Sequence, residues 1–208
     1  MTHLKKCCLV FAAFFTALYA NAQEVKNSKI NIISNGGIGY GVMKNDKEPN
    51  YNLNSNRAEI LVNYNFNKSI GIATGIEFNT LSGTGFNSVG NFYHERTLIK
   101  IPLVATVRYK FSDLFSTTFN LGVYAQNITK YKYKFLNTTQ KNIYSGWNFG
   151  SQIEIGILFK VFDGFKAGIN LSGQSDFSKF GTKPNQIISD KQKMDNLNTI
   201  GFTFVLGY

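Results

Sequence analysis

The sequence has little cysteine, and both of its cysteines lie within the first eight residues. They open an apolar run, CCLVFAAFFTALYA, that follows two lysines and ends at Ala20-Asn21-Ala22, a small-x-small pattern typical of signal-peptidase sites. We therefore predict a cleaved secretory signal over residues 1–22 and one exported domain over residues 23–208. Because that domain has no cysteine, it has neither a disulfide framework nor a metal-thiolate site.

Proline is also scarce, at 3 residues, and the predicted domain lacks any long apolar run. A helix that crosses a bilayer needs about twenty apolar residues in succession, so the chain is not a helical membrane protein. Aromatic residues, by contrast, make up 15% of the chain, and glycine is plentiful at 19 residues. Many aromatics with few prolines favour β-strands.

Acidic residues are few relative to basic ones. Without Lys5 and Lys6 of the signal, 22 basic residues become 20, which leaves an excess of +8 over the 12 acidic residues. An exported protein meets phosphate mainly as lipid headgroups and lipopolysaccharide, because nucleic acid stays inside the cell. We therefore expect outer-membrane lipid and lipopolysaccharide as partners, and no nucleic acid.

What the sequence does contain, repeatedly, is an alternation of apolar and polar residues with a period of two. In WNFGSQIEIGILFK (147–160), isoleucines at alternate positions oppose Gln152 and Glu154. The even count of such segments, joined by alternating long and short connections, predicts an all-β, eight-stranded antiparallel up-and-down barrel. The segments are 29–43, 57–66, 70–78, 99–111, 115–126, 147–160, 165–174 and 199–208. The short turns are 67–69, 112–114 and 161–164, and the long loops are 44–55, 80–96, 127–145 and 175–196.

The two faces of these strands indicate which side meets lipid. One face holds mostly aliphatic and aromatic residues, and the other holds glycine, small polar residues and charges. The lumen of eight strands is narrow and suits glycine, so the apolar face points outward, as in a transmembrane barrel. Aromatics near the short turns and near the long loops match the two girdles of an outer-membrane barrel. They are Tyr64, Phe66, Tyr109, Phe111, Phe115, Phe159, Phe165 and Tyr208 near the turns, and Tyr40, Phe78 and Trp147 near the loops.

Charged residues on the lumen face fall at similar heights above the short turns. We predict that they form an ion-pair layer that plugs the lumen, because charges inside a narrow barrel have to be paired. A proton or ion path, and hence a small pore, is the alternative function for the same residues. The predicted layer is Arg57, Glu59, Glu77, Lys100 and Glu154, with Arg108, Lys160 and Lys166 below it.

The stretch IKIPLVATVRYKF (99–111), followed by a turn and by FNLGVYA (119–125), resembles a signature of PorT-like ("porin family") outer-membrane β-barrels of Bacteroidetes. In that family a strand with Ile-Pro-Leu ends in a basic-aromatic pair and precedes an aromatic-x-hydrophobic-Gly strand. The resemblance implies a barrel in the cell outer membrane. Members of the family mostly have no known activity, and one branch is implicated in secretion. The resemblance therefore implies a structural or interaction role: envelope integrity, adhesion or a part in a secretion assembly.

Residues suited to catalysis are sparse. His94 is the single histidine of the predicted domain, beside Glu95, and Ser82 and Ser88 lie in the same predicted loop. Some eight-stranded outer-membrane barrels modify lipid A with a catalytic Ser, a His and an acid. A lipid A-modifying enzyme is therefore an alternative function. Adjacent strand residues point to opposite faces, so His94 and Glu95 are poorly placed to act together. We expect no enzyme, no cofactor and no metal site.

The segment KYKYKF (130–135) continues the alternation of the fifth strand. That parity predicts the three aromatic residues outward and the three lysines, Lys130, Lys132 and Lys134, inward. The segment is either a strand that projects beyond the bilayer or a basic-aromatic surface for polyanions such as lipopolysaccharide phosphates or glycans. We favour the first interpretation, because strand geometry alone explains the alternation.

The chain closes on TIGFTFVLGY (199–208), whose alternate residues are apolar. This segment resembles the C-terminal aromatic signal that the outer-membrane assembly machinery recognises, with Phe204, Leu206 and Tyr208 as its residues. The resemblance implies the assembly machinery as a partner. Other envelope proteins are further candidate partners, and we expect a monomer.

Overall fold

The computed structural model describes residues 29–88, 90–135, 138–141, 144–182 and 190–207. The predicted signal over residues 1–22 and the terminal Tyr208 lie outside the described residues. Most of the described chain is β-strand. Among these residues no helix is long and apolar enough to cross a membrane.

Eight long strands form one closed antiparallel barrel, as the sequence predicts. Each strand pairs with the long strand before and after it, and the last closes on the first, for example at Ile38↔Ile200. Closure pairs the backbone groups that an open sheet would leave at its edges. The barrel strands are β1 (Ile30–Asn45), β2 (Tyr51–Asn65), β3 (Ile70–Asn87), β4 (Gly90–Lys110), β5 (Phe115–Phe135), β8 (Trp147–Phe162), β9 (Phe165–Asp176) and β11 (Gln192–Leu206). Three short strands, β6 (Thr138–Lys141), β7 (Tyr144–Ser145) and β10 (Gly181–Thr182), lie between them.

Three short turns join strands at one end of the barrel, at the predicted places. In the β2–β3 turn, Asn67 Oδ1 accepts hydrogen bonds from the backbone N–H of Ser69 and Ile70, each at 2.8 Å. Such a side-chain bond stabilises a tight reversal of the chain. In the β8–β9 turn, Gly164 has φ = 82°, a left-handed conformation that glycine adopts without strain. We call this end of the barrel the short-turn end.

The predicted long loops are wrong for much of their length, because the strands continue through them. β3 runs to Asn87 and β4 begins at Gly90, so residues 80–96 form most of a hairpin. Similarly, β5 continues to Phe135. Alternation is hard to recognise in these parts because the outward residues become polar while aromatics and leucines turn inward. We call these parts of the strands the extended end.

The barrel is apolar outside and largely polar inside. On β8, Ile153, Ile155 and Ile157 are 46%, 52% and 54% exposed, whereas Gln152 and Glu154 are buried. An exterior of exposed aliphatic side chains on every barrel strand is suited to hydrocarbon rather than water. The predicted orientation of the two faces is therefore confirmed for the band of aliphatic residues.

Both predicted aromatic bands are found on the exterior, with one exception. Phe165 is only 7% exposed, because it packs against Phe162 and stacks on Phe204. The other aromatics of the short-turn band that the structure describes are exposed: Tyr64, Phe66, Tyr109, Phe111, Phe115 and Phe159. So are those of the second band, Tyr40, Phe78 and Trp147. The aliphatic belt thus lies between two aromatic rims, the arrangement that anchors a barrel in a bilayer.

Two apolar clusters lie inside the barrel, which the alternation does not predict. The smaller one, the lower core, is near the short-turn end. The larger one, the upper core, fills the extended end and is rich in tyrosine. The lower core is Ile33, Leu61, Ala73, Val104, Leu158 and Val205. The upper core is Met43, Tyr51, Leu53, Leu81, Phe92, Leu98, Tyr131, Tyr133, Tyr144, Phe180, Met194 and Leu197.

A β-bulge reverses the predicted orientation of KYKYKF. Leu98 on β4 pairs with Ile128, but the preceding Thr97 pairs with Lys130, so Thr129 is an extra residue on β5. One extra residue moves every later side chain to the opposite face. Tyr131 is accordingly buried, and the lysines at 130, 132 and 134 point outward. The prediction of inward lysines is wrong for this reason.

Cysteine scanning of the folded chain tests the bulge. In a protein that starts at residue 23 and has no cysteine of its own, single cysteines at 130, 132 and 134 should react with a water-soluble maleimide. Cysteines at 131 and 133 should be protected, because those positions face the upper core. Mass spectrometry measures the labelled fraction. Deletion of Thr129 removes only the extra residue and leaves Leu98↔Ile128 and Thr97↔Lys130 paired, so the same lysine positions should stay reactive. Reactive cysteines at 131 and 133 with protected ones at 130, 132 and 134 would contradict the assigned register.

Candidate functional site

Arg57 crosses the lumen from β2 to the opposite wall. In the ring of eight strands, β8 is four strands from β2 in either direction. The Arg57 Nη1 atom nevertheless lies 3.1 Å from Glu154 Oε2 on β8. Its Nη2 lies 2.6 Å from Glu59 Oε2, and its Nε lies 3.0 Å from Glu77 Oε2. One side chain therefore pairs with three carboxylates and obstructs the passage between the two walls.

Lys100 on β4 provides a second buried cation at this level. Its Nζ lies 3.3 Å from Glu77 Oε1 and 4.5 Å from the ring centroid of Tyr124. It also donates a hydrogen bond to Oε1 of Gln174 on β9. Gln174 in turn donates from Nε2 to Glu77 Oε2 at 2.9 Å. These contacts form a second connection across the lumen.

All five residues that we predict to form the ion-pair layer lie together in the structure. Glu59 and Glu77 stand directly opposite each other on β2 and β3, where two carboxylates repel. Arg57 contacts both and offsets that repulsion. With three carboxylates and two cations, the formal charge of the layer is −1. Its members are Arg57, Glu59, Glu77, Lys100 and Glu154.

Neutral side chains form further hydrogen bonds with the layer. Asn35 Nδ2 donates to Glu59 Oε2 at 2.6 Å, and Asn120 Nδ2 donates to Glu154 Oε1 at 3.0 Å. Ser172 accepts a hydrogen bond from Arg57 Nη1 at 2.8 Å. Buried charges are tolerated when ion pairing and hydrogen bonds together satisfy them. The layer is therefore a connected network rather than isolated pairs.

Apolar side chains occupy the lumen below the layer. The lower core separates it from the short-turn mouth, where a cavity of about 10 Å³ has space for roughly one water molecule. Arg108, Thr106 and Thr118 line this cavity. Lys166 Nζ lies 3.3 Å from Ser116 Oγ nearby. Of the basic residues predicted below the layer, Arg108 and Lys166 thus lie near this mouth, and Lys160 pairs with Asp163 of the β8–β9 turn.

Above the layer, Asp176 at the end of β9 organises another polar cluster. Its Oδ1 accepts hydrogen bonds from Tyr124 Oη at 2.7 Å and from Gln126 Nε2 at 2.6 Å. Its Oδ2 accepts from Asn148 Nδ2 at 3.2 Å and from the Met194 backbone N–H at 2.9 Å. These contacts tie β5, β8, β9 and β11 together where the barrel passes into the extended end.

The upper core encloses Arg96, which is 1% exposed. The guanidinium carbon lies 5.0 to 5.4 Å from the ring centroids of Tyr131, Tyr144 and Phe180. Its Nη2 donates to Gln192 Oε1 at 2.9 Å. A cation held by three aromatic faces retains favourable electrostatics after it leaves water. Arg96 therefore joins β4, β5 and the segments around β7, β10 and β11 into one packed unit.

His94, which we predict in a long loop, lies inside the upper core on β4. Its Nδ1 is 2.7 Å from Tyr51 Oη, and Gln192 Nε2 donates to the same oxygen at 3.0 Å. The exterior at this height is polar, with Ser82 and Glu95 facing outward, so this part of β4 lies beyond the aliphatic belt. Burial, together with the nearby Arg96 guanidinium, lowers the pKa of His94 well below its usual value.

The residues weighed for lipid A chemistry do not converge. Ser82 and Glu95 are cross-strand partners on the outside of β3 and β4, whereas His94 is fully buried inside. Ser88 is exposed and donates its hydroxyl to Glu48 Oε1 at 2.8 Å. Over the described part of the chain, no three His, Cys, Asp or Glu side chains are grouped so as to hold a metal ion.

The three lysines of the possible polyanion-binding segment lie on the exterior of the extended end. Lys130 has a side chain that is 68% exposed, with its Nζ 3.5 Å from Glu95 Oε1. Lys132 is directly opposite Lys141 of β6, and Lys134 pairs with Tyr93 of β4. The structure therefore brings these lysines together on one outer surface, which we call the lysine strip: Lys130, Lys132, Lys134 and Lys141.

Of the predicted C-terminal assembly signal, two residues are described. Phe204 and Leu206 lie on β11, and Phe204 stacks on Phe165 with ring centroids 6.2 Å apart. Tyr208 lies outside the described residues. The signal remains a prediction from the resemblance.

Arg96 and His94 could have been found from sequence by continuing the parity of β4 above Lys100. Every second residue from Lys100 upward is buried: Leu98, Arg96, His94 and Phe92. The alternation is disguised there because a charged and a titratable side chain share the inward face with apolar ones.

Acidification should weaken the fold through His94. Its folded pKa is depressed, so below about pH 6.5 the unfolded chain binds a proton that the folded chain excludes. Stability is then fully present above pH 6.5 and is lost as the pH falls toward the folded pKa. Between pH 7.5 and pH 5.0 we expect a loss of about 2 kcal/mol from this residue. Urea unfolding of the refolded barrel at both pH values measures it.

Carboxylates that titrate in the same pH range also change the stability of the fold. The contribution of His94 therefore has to be isolated by comparison with a variant. His94→Gln keeps a polar side chain of similar reach but does not titrate. Its loss of stability between pH 7.5 and pH 5.0 should be smaller than that of the wild type by the stated amount. Equal losses in the two proteins would show that His94 is not buried in neutral form.

Solved structures share the fold at very low sequence identity. Neisserial surface protein A matches with a TM-score of 0.54 and 9% identity, over 87% of this chain and 98% of that one. A major outer-membrane protein of Thermus thermophilus gives 0.52 and 8%, over 85% and 99%. The outer-membrane protein OprG of Pseudomonas aeruginosa gives 0.51 and 12%, over 85% and 95%.

No protein-family model matches the chain, and no curated protein matches it by sequence. The resemblance to the PorT-like proteins therefore rests on the motif alone. The structural likeness shows the fold, that of the eight-stranded outer-membrane β-barrels. With the aliphatic belt and its two aromatic rims, a protein of this fold belongs in the cell outer membrane. Barrels of this kind have short periplasmic turns and longer extracellular loops, so we expect the extended end to lie outside the cell.

Proposed function

We propose that the protein is a closed outer-membrane barrel that serves the envelope structurally or as an interaction partner, through its extended end. The contact of Arg57 with Glu154 on the opposite wall carries this proposal. A side chain that joins opposite walls of a narrow barrel obstructs a water path between them. The lumen therefore stabilises the barrel, and the parts that remain available to other molecules are on its outside.

The extended end is built as a rigid platform. Asp190 Oδ2 accepts hydrogen bonds from the backbone N–H groups of Lys47 and Glu48, at 3.0 and 2.9 Å. Glu48 Oε1 in turn accepts the hydroxyl hydrogen of Ser88 at 2.8 Å, and Lys179 pairs with Asp46. These ties lie over the packed upper core and join the described segments of the extended end. A fixed surface suits adhesion or docking within an envelope assembly, because little order has to be gained on binding.

The two alternatives receive less support. A small pore would need a hydrated path through the ion-pair layer and both apolar cores. A lipid A-modifying enzyme would need a nucleophile and a base on the same face, but Ser82 points outward and His94 inward. Membership of the PorT-like family, a secretory signal over residues 1–22 and a C-terminal assembly signal remain parts of the proposal that rest on sequence alone.

Planar-bilayer recording tests the closed lumen. The refolded protein should give no conductance steps above the empty bilayer, with a water-filled porin as the positive control. The double variant Arg57→Met/Glu154→Met removes the ion pair between the two walls. It should still give no conductance steps, because both apolar cores remain in the lumen. Steady unit conductance from the wild type would overturn the proposal.

The excess negative charge of the ion-pair layer predicts an unequal response to mutation. Arg57→Met leaves three carboxylates around one lysine, so we expect a loss of about 3–5 kcal/mol in the free energy of unfolding. Glu59→Gln removes the formal excess charge and keeps the side-chain shape, so its cost should be smaller. Urea midpoints of the two refolded variants measure the difference. A Glu59→Gln variant less stable than Arg57→Met would contradict this account of the layer.

A further inference from the structure

The lysine strip lies in a part of the chain that has no acidic residue. Between Asp113 and Glu154 every charged residue is a lysine, and all four of these lysines belong to the strip. On the neighbouring face of β4, Glu95 is the acid that contacts it, through Lys130. Four cations and one carboxylate give this outer surface a formal charge of +3.

The arrangement of the strip is itself unfavourable without an anion. Lys132 and Lys141 are directly opposite each other on β5 and β6. Like charges at directly opposed positions of a sheet repel and destabilise the pairing. A bound anion between the two strands would remove that cost.

The described lysines on the other side of the extended end are paired differently. Lys44 and Lys193 both contact Asp195, at 3.9 and 3.2 Å. Lys179 pairs with Asp46. These three lysines share two aspartates and so carry a formal charge of +1, against +3 for the strip. The excess is a local property of the strip and does not follow from the basic composition alone.

The height of the strip above the membrane is fixed by the pairing register. Phe78, Ile99, Asn127 and Trp147 form one row across four strands, at the outer aromatic rim. Two residues further out, Thr97 pairs with Lys130. Lys132 and Lys134 follow at steps of about 7 Å along the strand. Lys130 thus lies at the depth that lipid headgroups occupy, and Lys132 and Lys134 lie successively further out, within reach of that layer through their long side chains.

We propose that the lysine strip binds phosphate groups of anionic lipid in the outer leaflet. This inference rests on the proposed function and names a partner class for the extended end. Lysine ammonium groups just outside an aromatic rim attract anionic headgroups, and a long lysine side chain adjusts its reach to the phosphate. Tyr93, paired with Lys134, adds a half-exposed ring that suits the interface.

Trp147, the single tryptophan, reports on this surface. It faces outward in the rim row next to Asn127, three residues before Lys130 on β5. The protein from residue 23 onward is refolded into phosphatidylcholine vesicles that contain a lipid with brominated acyl chains, which quench tryptophan fluorescence on contact. The headgroup of the brominated lipid is either phosphatidate or choline. The quenching by brominated phosphatidate is divided by the quenching by the brominated choline lipid. This ratio measures the preference for the phosphate headgroup next to Trp147.

The wild type should prefer phosphatidate, and salt should weaken the preference. Lys130→Gln/Lys132→Gln/Lys134→Gln should lower it by roughly tenfold or more at low salt. The control Lys29→Gln/Lys68→Gln/Lys110→Gln removes the same charge at the short-turn end and should leave it unchanged. Glu95→Gln should strengthen it. A heat-modifiable gel shift verifies that each variant is folded.

Competition identifies the source of the phosphate. Unlabelled lipid A with its phosphates should relieve the quenching by brominated phosphatidate, and dephosphorylated lipid A should not. Relief by inorganic phosphate, or stronger relief by a soluble sulfated polysaccharide, would overturn the assignment to lipid. So would an equal preference in the strip variant and the control. These outcomes are independent of conductance, so the lipid site and the closed lumen fail or stand separately.

Discussion

The pairing of Arg57 with three carboxylates from three strands is the interaction on which the interior depends. Lipid outside an eight-stranded barrel forces its polar side chains into a lumen too narrow to hydrate them fully. Removing Arg57 from this network would leave Glu59 and Glu77 facing each other with Lys100 as the remaining cation of the layer. The neighbouring Asn35 and Asn120 are useful because they donate to carboxylates that Arg57 has already partly neutralised.

The small residues of the lumen follow from the same shortage of space. Gly150 lies against the Tyr124 ring, and a side chain at that position would collide with the phenol. The Tyr124 hydroxyl donates a hydrogen bond to Asp176, and the Lys100 ammonium lies over the Tyr124 ring. Gly85 makes room for the ring of Phe92 in the upper core in the same way. Glycine in this barrel therefore allows a large neighbour to fill the centre, in addition to making the wall thin.

The sequence predicts the barrel well because the alternation in each strand has a strong physical cause. Isoleucines such as Ile153 and Ile155 meet hydrocarbon, and Glu154 between them meets Arg57, so the two faces differ sharply. Counting residues from the short turns then brings Glu59, Glu77 and Lys100 to one level, because antiparallel register keeps equal distances aligned. The layer could be foreseen from these two regularities.

The extended end could not be foreseen in the same way, because water replaces lipid on the outside. Outward residues there are polar, as Ser82 and Glu95 are, while Tyr131 and Phe92 turn inward, so the hydrophobic alternation has the opposite sense. Thr129 adds a register change that no local signal announces, since neither glycine nor proline marks the bulge. A single unpaired residue thus decides whether the lysines after it are buried or exposed.

The bulge and the lysine strip are connected by this reversal. If Thr129 were paired in the ladder instead of bulged, the parity of β5 would direct Lys130 and Lys132 into the barrel and add two buried cations to Lys100 and Arg96. With the bulge, the same sequence places tyrosines around Arg96, where their rings stabilise the guanidinium, and lysines on the outer surface. The bulge therefore supplies both the aromatic partners of the interior and the positive charge of the exterior. The upper core and the outer surface of the extended end are consequently parts of one arrangement, and a change in the register of β5 would disrupt both together.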